Sequence, residues 1–137
     1  MSSPPRVDFI ILSWNRTEET IAAIESARAQ KGVIGSVKVV DQGSEPDNLA
    51  RMRRYVASAD DVALQELGRN VGVPAGRNIA TRMGNAPYVI ALDNDAEFAD
   101  EECALRAITM MEADATLAAV ALRILTYDAR EDDDSSC

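Results

Sequence analysis

Apolar runs alternate with amphipathic segments along this chain. Val7 to Ser13 is short, rich in isoleucine and almost continuously apolar, the pattern of a strand buried on both faces. Asn15 or Thr17 is placed to cap a following helix, with Glu18 and Glu19 in its first turn and Ile21 and Ile24 on its inner face. Lys31-Gly32 ends that helix. Val37 to Val40 reads as a second strand, Asp47 to Ala57 as a second helix, and Val62 to Leu67 as a third strand. Polar neighbours around Leu64 mark that third strand as the edge. Pro74 suits the first residue of a third helix, whose Ala75, Ile79, Ala80 and Met83 share a face. Tyr88 to Leu92 is the next strand. Asp100, Glu101 and Glu102 favour a helix amino terminus, with Ala104, Ile108 and Met111 along one side, and Leu117 to Tyr127 reads as a last strand. The order βαβαβαβαβ calls for right-handed crossovers: an α/β fold with a mostly parallel sheet and helices on both faces.

Composition narrows the picture. With 137 residues and 47% apolar content the chain closes one core, expected over residues 1–127. Its formal net charge of -9 argues against wrapping nucleic acid. Much of that excess is local, because removing residues 128–137 takes 23 acids and 14 bases to 18 and 13. This end is expected to be an acidic tail or linker. No apolar run reaches the roughly 18 residues of a membrane helix, and Met1 to Arg6 lacks a signal-like stretch, so a soluble cytoplasmic protein without a transmembrane segment, or the soluble part of a larger one, is the default. Cys103 and Cys137 are too few for a disulfide framework. The absence of histidine excludes a Ser-His-Asp triad and a histidine-ligated zinc.

Candidate chemistry collects where strands run out. Asp93-Asn94-Asp95 follows the fourth strand, and acids at i and i+2 of a strand point to one side, where both can meet one divalent cation. Asp41-Gln42-Gly43-Ser44 follows the second strand, with a glycine that lets backbone approach a ligand. The plain alternative is a turn in which Asp41 and Ser44 satisfy local amides. Asn70, Gly72, Pro74, Gly76 and Arg77 form a loop entering a helix, whose amides and guanidinium suit an anion. Here the alternative is a capped helix with Arg77 paired to a surface acid. Ser13-Trp14-Asn15-Arg16 carries neither the glycine fingerprint of a dinucleotide fold nor that of a P-loop.

Four segments in order, Val7 to Arg16, Val39 to Ser44, Asn70 to Gly72 with Ala75 to Asn78, and Leu92 to Asp95, resemble the motifs of family 2 glycosyltransferases of the Rossmann-like GT-A fold. The resemblance runs from about Val7 to Phe98. It implies a site for a nucleotide-diphosphate sugar donor, with Mn²⁺ or Mg²⁺ as cofactor. By that similarity Ser13, Asn15 and Arg16 would border base and ribose, Asp41 would accept from the base, and Gly43, Asn70 and Gly72 would shape the site. Arg77 would compensate the diphosphate. Asp93 would lie near ribose and metal, and Asp95 would be the principal metal ligand.

Leu12 and Gln42 stand where the family commonly has a proline and a second aspartate, so base preference stays open. The family's acceptor half, with the base that deprotonates the incoming hydroxyl, should follow the last strand, and its apparent lack leaves the acceptor unassigned. The reading is therefore the donor-binding part of an inverting glycosyltransferase. The alternative is a non-catalytic nucleotide-binding or assembly module. Leu117 to Leu125, uncovered, is expected to pair with a second chain or to leave an apolar patch.

Overall fold

The computed structural model describes residues 3–125. The acidic segment 128–137 and the end of the expected last strand lie outside them. Strands β1 (Arg6–Ser13), β2 (Ile34–Asp41), β3 (Val62–Glu66) and β4 (Tyr88–Ala91) alternate with helices α1 (Thr17–Arg28), α2 (Pro46–Ala57), α3 (Val73–Arg82) and α4 (Cys103–Ala113). All ladders are parallel and the strand order is β3-β2-β1-β4, which puts β3 at the expected edge.

That order explains where the helices lie. Going from β1 to β2 to β3, right-handed crossovers place α1 and α2 on one face; the return past β2 and β1 to β4 places α3 on the other. Under the first face lie Val7, Phe9, Ile11, Val37 and Val39, each no more than 1% exposed. Ala23, Ile24 and Ala27 are among the buried residues of α1, and Met52 is the buried residue of α2. On the second face Ile10 and Val40 meet Ala80 of α3, with Leu12, Leu67, Ile79 and Met83 around them. Alternating burial of this kind on both faces is why β1 reads as a continuous apolar run.

Asp8 interrupts that run and is nonetheless 5% exposed. Its Oδ2 accepts from the Ala86 amide at 3.0 Å, fastening the turn that leads into β4. A Cβ on Gly84 would sit 2.0 Å from the same oxygen, so the glycine makes room for the carboxylate.

Two expectations change. Neither Asn15 nor Thr17 caps α1: the cap position is Arg16, in left-handed backbone, with no side-chain cap bond. The hydroxyl of Thr17 donates instead to Asn48 Oδ1 at 2.7 Å, and Asn15 is engaged across the loop as described below. Second, residues 117–124 form no strand, and Leu117, Leu122 and Ile124 are 37%, 42% and 49% exposed. Apolar β-branched composition shows that a segment suits a pleated surface, but a strand exists only where a neighbour supplies its hydrogen bonds. Residues 106–113 complete α4, with Ala107 and Ile108 buried. Among the described residues no helix is long and apolar enough to cross a membrane.

An ion pair braces the edge. Arg53 of α2 donates through Nε to Glu66 Oε2 of β3 at 2.8 Å, and this bond holds the Glu66 carboxyl below its ordinary value of 4.5. A depressed folded-state value gives stability that is complete above the ordinary value and is lost as pH falls through the folded one. Glu66→Gln is therefore expected to lose less stability than the parent as pH drops below about 4.5, by a small margin because the pair is exposed. Urea melts at pH 6 and pH 3 read the difference.

Candidate functional site

The strand order reverses between β1 and β4, the place where open α/β sheets hold ligands beyond their carboxyl ends. A cavity of about 450 Å³ opens there. From β1 and its loop come Leu12, Ser13, Trp14 and Arg16; from beyond β4 come Leu92, Asp93, Asn94 and Asp95. Gln42, Asn70, Val73 and Arg77 complete the wall. Its volume is that of an ordinary small-molecule site. A second cavity of about 410 Å³, with Arg6, Asp8, Lys38 and Asn85, opens at the opposite ends of the strands. The first holds the candidate groups and sits at the switch point.

Asp93 and Asp95 reach this cavity by a different route from the one expected. The strand ends at Ala91, and the Ala96 amide donates to the Asp93 carbonyl at 3.1 Å, so Asp93 opens a turn and Asp95 lies within it, and the two acids do not alternate along a strand. Hydrogen bonding of β4 to β1 stops just after Leu92, whose amide donates to the Ile10 carbonyl, and a chain without a neighbour is free to turn. Between the two acids Asn94 donates through Nδ2 to Thr20 Oγ1 at 3.3 Å. Each carboxylate faces a guanidinium. Arg77 Nη2 donates to Asp93 Oδ1 at 3.1 Å, and Arg16 Nη1 lies 3.5 Å from Asp95 Oδ2.

Arg16 owes its position to an unusual backbone. Asn15 and Arg16 have φ of 53° and 48°, a conformation that non-glycine residues seldom adopt and that the surroundings must hold. The Asn15 amide donates to Ser44 Oγ at 2.8 Å, while its Oδ1 accepts from the Glu45 amide at 2.8 Å and from Asn48 Nδ2 at 3.3 Å. The loop after β1 is thereby clasped to the loop after β2.

Asp41 anchors the other half of the clasp. Its carboxylate, 1% exposed, accepts from the amides of Gly43 at 3.0 Å and Ser44 at 2.9 Å and from Ser44 Oγ at 2.5 Å. This is the turn described above as the plain alternative. Gly43 has φ of 91°, and a Cβ there would meet the Arg69 backbone at 3.2 Å, so the loop before α3 packs directly on the glycine. Gln42 then pins that loop, its Oε1 accepting from the Val71 amide at 2.9 Å. Asn70 Oδ1 accepts from the Gly72 amide at 2.8 Å, and Gly72, with φ of 88°, is the cap position of the helix that carries Arg77.

Of the residues expected in the site, Ser13, Arg16, Asn70, Arg77, Asp93 and Asp95 line one cavity. Asn15, Asp41, Gly43 and Gly72 are not among its lining residues. Trp14, 55% exposed, and Gln42 line it although the sequence reading assigned them no role. A tryptophan directly after an almost continuously apolar strand was the available signal for the first. Among the described residues no group of three or more acids or cysteines is arranged to hold a metal. Two carboxylates do fit Mg²⁺ or Mn²⁺, which keep waters and take phosphate oxygens beside one or two acids.

The chain is similar to several known proteins. The succinoglycan biosynthesis protein ExoO of Rhizobium meliloti is 36% identical over 93 residues, which cover 66% of this chain and 26% of that protein. The mannosyltransferase PcManGT of Pyrobaculum calidifontis, solved in complex with GDP-Man and Mn²⁺, matches with a TM-score of 0.74 over 82% of this chain and 34% of its own, at 24% identity. S. aureus TarS 1–349, solved in complex with UDP-GlcNAc, gives 0.66 over 79% of this chain and 31% of its own, at 21% identity. These structural likenesses show the fold, in agreement with the expected GT-A arrangement. The chain spans about a quarter to a third of the length of these relatives. A family model described as glycosyl transferase family 2 matches residues 8–135. With nearly the whole chain matched, this protein belongs to glycosyl transferase family 2.

Proposed function

We propose that this chain is the donor-binding part of an inverting glycosyltransferase, holding a nucleotide-diphosphate sugar with Mg²⁺ or Mn²⁺ for transfer to an acceptor hydroxyl. The observation that carries the reading is a single cavity at the switch point lined by two carboxylates, two guanidiniums and an exposed indole. The relatives solved with GDP-Man and Mn²⁺ and with UDP-GlcNAc support the same class of donor.

In this reading Trp14 offers its flat face to the base, with Ser13 and Asn70 beside base and ribose. Arg16 and Arg77 face the diphosphate. Asp93 stands near ribose and metal, and Asp95 is the principal protein ligand. Asn15, Asp41, Gly43 and Gly72 work through the backbone: the clasp fixes the loop that presents Trp14 and Arg16, and the Gly72 turn aims α3. When bound, the divalent cation supplies Lewis-acid neutralisation of charge on the departing diphosphate. Inverting transfer also needs a base on the acceptor hydroxyl. Asp100 is committed to the entrance of α4, where Oδ1 accepts from the Glu102 amide at 2.8 Å, so the proposal gives this chain the donor side alone.

Calorimetric titration with uridine, guanosine and thymidine diphosphates, with and without Mn²⁺, tests the reading. At least one is expected to bind more tightly with the metal. Trp14→Ala should weaken that binding about five- to a hundredfold, the range of one base-aromatic stack, and leave the ratio with and without Mn²⁺ intact. Failure of all three to bind in Mn²⁺ would remove the donor assignment.

A further inference from the structure

The charged groups lining the cavity are Arg16, Arg77, Asp93 and Asp95, and their formal charges cancel. They cancel pairwise, Arg77 on Asp93 at 3.1 Å and Arg16 on Asp95 at 3.5 Å. We infer that Arg16 and Arg77 are built-in counterions of the Asp93/Asp95 pair, so that the site takes a divalent cation and a nucleoside diphosphate as a linked pair and either one alone poorly. The inference rests on the donor reading above and adds to it how the two ligands depend on each other.

Three observations support it. The carboxylates number two, too few to hold a divalent cation without phosphate oxygens or water. A cation arriving alone must compete with both guanidiniums for them and would leave the cavity with surplus positive charge. A diphosphate arriving alone must draw the same guanidiniums from their carboxylates and would leave surplus negative charge. Together the two ligands largely offset each other's charge and give every charged group of the cavity an opposite partner. The second observation is exposure. The side chains of Arg16 and Asp95 are 55% and 50% exposed, those of Arg77 and Asp93 43% and 71%, so neither pair is locked by burial and both can exchange partners at little cost. The third is how Arg16 is held. Its backbone is fixed by the clasp through Asn15, while Nη2 keeps a second partner in Glu19 at 2.6 Å, one helical turn away. Its guanidinium can leave Asp95 without losing every carboxylate contact.

Coupling between two ligands is reciprocal: whatever factor the diphosphate adds to metal affinity, the metal adds to diphosphate affinity. The test measures Mn²⁺ binding by electron paramagnetic resonance of the free ion, for the parent chain, Arg16→Gln and Arg77→Gln, each checked for an unchanged circular dichroism spectrum. Without nucleotide, each variant is expected to bind Mn²⁺ about two- to fivefold more tightly than the parent, as an exposed pair is released. In chelator, each should bind the preferred nucleoside diphosphate more weakly than the parent. Adding that diphosphate at saturation should raise Mn²⁺ affinity in the parent by a larger factor than in a chain carrying both Arg16→Gln and Arg77→Gln. Metal affinity that is unchanged, lowered or undetectable in both single variants overturns the counterion role, whatever the nucleotide does. Failure of all three diphosphates to bind in Mn²⁺ instead overturns the donor reading beneath it.

Discussion

Asp95→Asn is expected to remove most of the strengthening that Mn²⁺ gives to nucleoside-diphosphate binding. The amide keeps the shape of the carboxylate and loses its charge. Because second-layer partners of metal ligands already cost about ten- to a hundredfold in metal affinity, a direct ligand should cost at least as much. Binding in chelator should stay level or tighten, since Arg16 no longer has Asp95 as a partner and turns to the diphosphate more readily. Stability should hardly change, because the pair is half exposed and 3.5 Å apart. Titration of the variant with and without Mn²⁺, beside a thermal melt, separates these effects. An undiminished metal dependence would take Asp95 out of the ligand set.

Phe9→Ala is expected to cost about 3–5 kcal/mol of stability, the range for deleting a fully buried aromatic side chain. Phe9 is 0% exposed on β1, with β2 and β4 to either side, and its ring lies 5.6 Å from that of Phe98 at 71°, an edge-to-face contact. A Cβ on Gly35 would come within 2.7 Å of Phe9 Cε2, so the neighbouring strand has already given up its side chain to fit the ring. Such a void does not collapse easily between two ladders. Domains of this kind hold about 5–15 kcal/mol in all, so the variant should sit near the edge of folding, with a lower urea midpoint at similar slope. Val89→Ala, at a position 42% exposed on β4, should stay within about 0.5 kcal/mol and serves as the control. A Phe9→Ala melt indistinguishable from the Val89→Ala melt would show that the core does not depend on this ring.

Burial periodicity carried most of the architecture. Val7 to Ser13 announced a strand covered on both faces because both alternating sets of side chains, Phe9 with Ile11 and Ile10 with its neighbours, had to leave water. The polar surroundings of Leu64 announced an edge for the same reason, since β3 has a neighbour on one side only. The acids at Asp93 and Asp95 could be assigned to the ligand-binding end because a parallel sheet puts all its carboxyl ends together.

Other features depended on partners distant in the sequence. Asn15 had the right chemistry to cap its own helix and instead bonds Glu45 and Asn48, whose proximity exists only once β1 and β2 are aligned. That choice forces two left-handed residues and aims Arg16 at Asp95. Asp41 by itself suited a turn better than a ligand, and the folded loop gives its buried carboxylate three local bonds. Leu117 to Tyr127 had the composition of a strand, yet hydrogen-bond partners are a property of neighbours, and residues 117–124 have none in a ladder. Local chemistry thus settled which segments leave water and which kinds of group they carry. Folding in three dimensions settled which of those groups meet, because short-range forces act between atoms brought close by a chain path that no single segment encodes.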